Sequence, residues 1–223
     1  MITKKKQLIN ETVESILIEI FNFMMDKATL GLSKPLKNIC LNLHKRNKER
    51  GFNLFLLGLS EFHKKNKLPD NEYIKFITLL KDKQFDSHIE TIVDSLFFSQ
   101  SDRCRLILGF ITGKYIYNRY IDYQDIVLSA SLRNLIDSDL KLFCKLYVLK
   151  PTKTNLDDNV VFCDEYTEIE SVIFSKLKSL QLFGEDSKTR LSDSSKDPLK
   201  YIKTIISERL FNYVKDCEAI NCV

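Results

Sequence analysis

The chain has 223 residues, enough for one large domain or two small ones, and its 44% hydrophobic and 29% charged residues exclude wholesale disorder. Only 6 Gly and 4 Pro are present, too few for the many tight turns of an all-β sandwich, so a mainly α fold is expected. The net charge of +4 is uneven, +7 over residues 1–67, zero over 68–150 and −3 over 151–223, a weaker bias than a dense nucleic-acid binder carries.

Ile9, Val13, Ile16, Leu17, Ile20 and Met24 recur at helical spacing and predict a first helix over about 8–27. Gly31 and Pro35 break it, and a second helix is expected from Leu36 to near Gly51, crossing the basic run His44–Arg50. Phe52–Phe62 is very apolar and reads as a short buried helix. After Leu68-Pro69-Asp70 come helices over 72–81 and from Asp86, the latter carrying Ile89, Ile92, Val93 and Leu96. Ser101 caps the next, about 102–117, which is apolar nearly all round and is expected to be the central helix. Gly109 and Gly113 lie four apart in it. Glycine costs a helix about 1 kcal/mol relative to Ala, so the pair points to close approach by another helix. Tyr115, Tyr117, Tyr120 and Tyr123 cluster where this helix gives way to the next; they are expected to be half-buried with wet hydroxyls, the alternative being an exposed aromatic group that stacks on a base or anchors a partner.

Helices over 123–134 and 139–148 follow, and the polar, then briefly apolar, stretch Thr152–Glu165 is the strongest break inside the chain. Thr167 and Glu170 form a capping-box pattern opening a helix to Leu180, whose buried stripe is expected to be Ile169, Val172, Ile173, Leu177 and Leu180. Leu180-Gln181-Leu182-Phe183 reads as a strand, Glu185–Pro198 as a mobile loop rich in Ser, Asp and Lys, and Leu199–Ile202 as a second strand. Thr204 starts a last helix with Ile205, Ile206, Leu210, Phe211 and Val214.

The order helix, strand, loop, strand, helix in "LKSLQLFGED … YIKTIISERLFNYVKD" resembles the back half of a winged-helix domain, in which a helix is followed by a two-stranded wing. The resemblance covers about residues 123–216. It implies a mainly α chain with a multi-helix N-terminal region, 1–120, and a winged-helix-like region, 121–223, containing a small two-stranded β-hairpin. The chain as a whole resembles helical proteins carried by bacteria in mobile or defence-related islands. On the winged-helix resemblance, helix 167–180 is the recognition helix. Lys176 and Lys178, with Lys188 and Arg190 in the wing, are then the candidate nucleic-acid contacts. Asp164, Glu165, Glu168 and Glu170 open that same helix and repel phosphate, which favours a protein partner over nucleic acid.

Nothing in the chain has the spacing of a catalytic or metal site. His44, His63 and His88 fit no zinc pattern, and no glycine-rich phosphate loop occurs. The six cysteines, Cys40, Cys104, Cys144, Cys163, Cys217 and Cys222, form no C-x-x-C pair and read as small hydrophobes. Asp157-Asp158 and Asp137-Ser138-Asp139 read as turn and cap residues rather than ligands of a hard cation. Neither cofactor nor metal is expected, and no enzyme. No stretch of about 18 apolar residues is present, and no basic leader with an apolar core opens the chain, so a cytoplasmic protein without a membrane span is expected. The expected function is a non-catalytic protein-interaction module, such as a bacterial immunity, antitoxin or phage-defence accessory protein. The alternative is a winged-helix nucleic-acid-binding regulator.

Overall fold

The computed structural model describes residues 50–66, 86–151, 160–185 and 198–219, apart from Phe52, His63 and Arg119. The expected helices over 8–27, 36–51 and 72–81 lie outside these or nearly so. Among the described residues there are seven helices and three strands: α1 (50–65), α2 (Asp86–Phe98), α3 (Asp102–Asn118), α4 (Tyr123–Leu132), α5 (Asp137–Tyr147), β1 (Val160–Cys163), α6 (Glu168–Ser179), β2 (Phe183–Gly184), β3 (Leu199–Lys203) and α7 (Ile205–Glu218). The described chain is therefore mainly helical with one small antiparallel sheet.

α3 is the central helix. Cys104, Leu106, Ile107, Leu108, Phe110 and Ile111 are all buried on it, because neighbours surround it: α2, α4 and α7 pack on it directly. α1 crosses it where glycines remove side chains. A Cβ on Gly58 would stand 2.1 Å from the Leu106 carbonyl oxygen, and one on Gly109 would stand 2.1 Å from the Phe55 carbonyl oxygen. One turn on, a Cβ on Gly113 would meet the Phe62 ring. The paired glycines thus mark a close backbone crossing, as their spacing predicts. Gly51, expected near a helix end, instead lies inside α1, where a Cβ would collide with the Arg105 side chain.

Helix starts follow the capping residues. The Ser101 hydroxyl accepts from the Cys104 N–H, at 3.1 Å, and the Thr204 hydroxyl accepts from the Ser207 N–H, at 3.0 Å. At α5 the Asp139 carboxylate accepts from the Ile136 N–H, at 2.9 Å.

The sheet has order β1-β3-β2, so its middle strand comes last in sequence. β1 pairs antiparallel with β3 in the register Val161↔Tyr201 and Cys163↔Leu199, and β2 pairs with β3 through Phe183↔Lys203. Two expectations are corrected here. The stretch expected to be a break contributes β1, making three strands where two were expected. Leu180–Leu182 is not strand: it is the C-terminal cap of α6. The Leu182 N–H bonds the Leu177 carbonyl and the Gln181 N–H the Lys178 carbonyl, with Gln181 in the left-handed region at φ 60°.

The inner face of the sheet closes on α5 and α6 through an aromatic cluster. Phe143 stacks on Phe183, Phe183 lies 4.6 Å from Tyr201, and Phe174 meets Tyr201 edge-on. Such pairs add roughly 0.5–1.5 kcal/mol each beyond area burial. The Tyr201 hydroxyl, fully buried, donates to the Leu146 carbonyl at 2.7 Å. A single run of buried apolar side chains extends from Phe55 on α1 to Cys217 on α7, passing through this cluster.

Candidate interaction surface

α6 is fixed at both ends and along one side. At its start the Glu170 N–H bonds the Thr167 hydroxyl, and the Glu170 carboxylate accepts from the Thr167 N–H, at 2.8 Å, and from Lys145 on α5, at 2.7 Å. Lys145 first, then the Thr167 N–H, holds the Glu170 carboxyl below the usual carboxylate range. At its end the Gln181 cap turns the chain into β2. Along the inner side Phe174 and Leu177 are buried, and Lys176 reaches Asp139, a carboxylate buried at the start of α5, at 2.5 Å.

Of the expected stripe, Ile173, Leu177 and Leu180 pack on the core and Ile169 and Val172 do not. Ile169 is 73% exposed and Val172 68% exposed, while the ring of Phe174 takes the inward position. Five of the twelve residues of this helix are apolar, more than one face needs, and the larger ring of Phe174 with Leu177 wins the core. The outward face is Glu168, Ile169, Val172, Ser175 and Ser179. Ile205, the first residue of α7, is also exposed. It stands beyond the end of α6, where the Thr204 hydroxyl bonds the Gln181 and Leu182 carbonyls.

The lysines expected to contact phosphate are occupied. Lys176 is paired with Asp139, and Lys178 with Glu185 at 2.6 Å. Lys188 and Arg190 lie outside the described residues, as does most of the expected mobile loop 185–198. Each described lysine of the set is thus neutralised by a carboxylate.

A second cluster, missed in the sequence, joins α3, α4 and α7. Lys114 lies 2.7 Å from Asp125 and 3.0 Å from Asp122, and Arg209 lies 2.7 Å from Asp122 and 3.0 Å from Asp125. Asp125 is buried, with the Tyr213 hydroxyl 3.5 Å from its other oxygen. Arg209 first, then Lys114, keeps the Asp122 carboxyl below its ordinary range. Two cations and two carboxylates balance, which leaves no net charge to attract an anion and makes the cluster a clamp between helices. Of the tyrosines beside it in sequence, Tyr115 is buried, while Tyr117, Tyr120 and Tyr123 are exposed by more than half rather than half-buried. The only sequence signal for the clamp was an Asp pair three apart at a helix start, which reads first as a cap.

The described thiols are poorly suited to nucleophilic chemistry. Burial pushes Cys104 up to about 12 and raises Cys217, Cys144 and Cys163 as well. Cys40, Cys222, the Asp157-Asp158 pair and the side chains of His44, His63 and His88 lie outside the description. Among the described residues no group of three His, Cys, Asp or Glu side chains is placed to hold a metal ion, and no helix is long and apolar enough to cross a membrane. The chain matches no protein-family model, and comparison with curated proteins and with solved structures returned no match.

Proposed function

We propose that this chain is a non-catalytic protein-interaction module, of the kind that serves as an immunity, antitoxin or phage-defence accessory protein, and that the outward face of α6 is its contact surface. The observation that carries the reading is the pairing of two facts on one helix. Ile169 and Val172, two branched aliphatic side chains, stand in solvent, while Lys176 and Lys178 are spent on carboxylates. An apolar patch with an acidic start suits a protein and not a phosphate backbone.

The test is capture from native-host lysate after nuclease treatment, comparing the wild-type chain with Val172→Glu. The expected result is one partner, identified by mass spectrometry, held by the wild type and lost by the variant. Equal capture by both sinks the assignment of the face.

A winged-helix nucleic-acid regulator remains the second reading, supported by α6 leading into the β2–β3 hairpin and by β1 completing a sheet behind it. On that reading, duplex DNA binds at low salt, weakens steeply as salt rises, and weakens further when Lys176 and Lys178 are neutralised. Binding indifferent to salt rejects it.

A further inference from the structure

Most described cations that lack a carboxylate partner gather on one seam, between α5 and α7. Elsewhere Lys114, Lys145, Lys176, Lys178 and Arg209 each lie against a carboxylate. Arg103, Lys141, Lys150, Lys203 and Lys215 are within ion-pair reach of no described carboxylate. Arg133, the exception to the clustering, lies over the Phe98 ring. The difference shows in the ammonium groups themselves: Glu170 raises the pKa of Lys145, whereas burial lowers that of Lys203 with no carboxylate to offset it.

A pair of rings draws these cations together. Tyr147 of α5 stacks on Phe211 of α7, at 4.3 Å. Lys203 Nζ lies over Tyr147, 4.8 Å from the ring centre, and Lys215 Nζ lies over Phe211, at 4.5 Å. Lys203 also donates to the Leu149 carbonyl, beside the exposed Lys150. Towards the start of α5 the Arg103 charge reaches the half-buried Cys144 thiol, one turn after the exposed Lys141. Two exposed carboxylates share the face, Glu208 beside Tyr147 and Glu218 beside Cys144. Five cations against two carboxylates leave the seam positive.

The middle of the seam decides which kind of anion fits. Each ring is covered by the other ring and by an ammonium, so neither offers a free face to a nucleobase. Val148, next to Tyr147, is 61% exposed. Half-buried rings and an exposed valine inside a cationic border have the anatomy of a protein contact, an apolar centre with a polar rim. An ammonium already resting on a ring has less freedom to lose when a carboxylate meets it.

We propose that the α5–α7 seam docks an acidic segment of a partner protein, one in which carboxylates flank an apolar side chain. The apolar side chain covers Val148 and the edge of Tyr147, and the carboxylates meet Lys150 and Lys215. The inference rests on the reading of the chain as a protein-interaction module, but not on the α6 face.

The probe is a fluorescently labelled peptide of repeating Glu-Leu-Glu-Gly, titrated with the full chain and followed by anisotropy. It is expected to bind in about 10 mM salt and to weaken by about 150 mM, as the screening length falls from roughly 30 to 8 Å. The same peptide with Gln for Glu is expected not to bind. Lys150→Gln combined with Lys215→Gln is expected to weaken binding roughly five- to tenfold. Arg133→Gln combined with Lys178→Gln removes the same charge away from the seam and is expected to leave it within about twofold. Absence of peptide binding at low salt overturns the proposal, and so does equal weakening by the two double variants. Duplex DNA that binds more tightly than the peptide, through the same two lysines, hands the seam to phosphate and overturns it as well. Val172→Glu is expected to leave peptide binding intact. If the peptide fails to bind while native-host capture still depends on Val172, the seam is refuted and the interaction module stands; if both fail, both are refuted.

Discussion

Replacing Gly109 by alanine sets two effects of opposite sign against each other. On an open helix the change stabilises by about 1 kcal/mol, because glycine is the poorer helix former. At the α1–α3 crossing the new methyl carbon falls 2.1 Å from the Phe55 carbonyl oxygen, 2.8 Å from the Leu59 nitrogen and 3.0 Å from Gly58 Cα. All three are backbone atoms of another helix, so no rotamer change relieves the contact and α1 must shift bodily. Overpacking of this kind costs roughly 1–3 kcal/mol and sometimes more, and a backbone collision belongs at the upper end. The expected net effect is a loss of about 2 kcal/mol. Gly58→Ala, the reciprocal contact, should match it, while Gly113→Ala meets the Phe62 side chain, whose ring can turn away but whose Cβ, 2.9 Å off, cannot, and should cost less than Gly109→Ala without stabilising. The Gly58/Gly109 double variant should cost less than the two singles together, since the first substitution already parts the helices. Urea unfolding midpoints at constant m-value measure all four. If Gly109→Ala and Gly58→Ala both raise stability, as on free helices, the crossing does not exist.

Gln181→Gly should stabilise by about 1 kcal/mol: it removes roughly 1–2 kcal/mol of left-handed strain and returns roughly 0.5–1 kcal/mol of glycine entropy. Thermal unfolding checks it, and a lower melting temperature would refute the cap geometry. Asp122 has a folded-state pKa depressed by Arg209 and Lys114, so its contribution is complete above the unfolded value of about 3.9 and is lost as pH falls through the lower folded value. The stability of the wild type should therefore drop more steeply below pH 4 than that of Asp122→Asn, and parallel curves would remove the clamp from the account. Cys104 and Cys217, buried with raised pKa values, should resist an aromatic disulfide reagent at pH 8 until denaturant opens the chain. Peptide mapping that finds either labelled at the rate of a free thiol would contradict their burial.

What the sequence made legible was local. The Thr167–Glu170 box, the Ser101 and Thr204 caps and the central position of α3 all depend on residues within a turn or two of each other, and each formed where its pattern placed it. The glycine pair was legible for the related reason that an unfavourable residue needs a cause. What was hidden was long-range. Val160–Cys163 becomes a strand only because Leu199–Ile202 arrives beside it, and no pattern within four residues announces that pairing. Asp122 meets Arg209 across 87 residues, so their charges read as unrelated surface groups until the helices are assembled. The outward turn of Ile169 and Val172 was hidden differently. Local periodicity put Ile169 and Val172 on the buried stripe of α6, and Phe174 displaced them because it fills the space beside Phe183 and Tyr201.

The order of strands in the sheet has a consequence for synthesis. A ribosome releases β1 and β2 before the strand that belongs between them. Until residues 199–203 emerge from the exit tunnel, Val161 and Phe183 have no ladder partner, and the aromatic cluster lacks Tyr201. The nascent chain therefore waits with two unpaired edges and exposed rings, the condition in which chaperones engage and misassembly competes. Translational stalling before Leu199 leaves a product that lacks both the middle strand and α7, with the Val-Val-Phe of β1 unpaired.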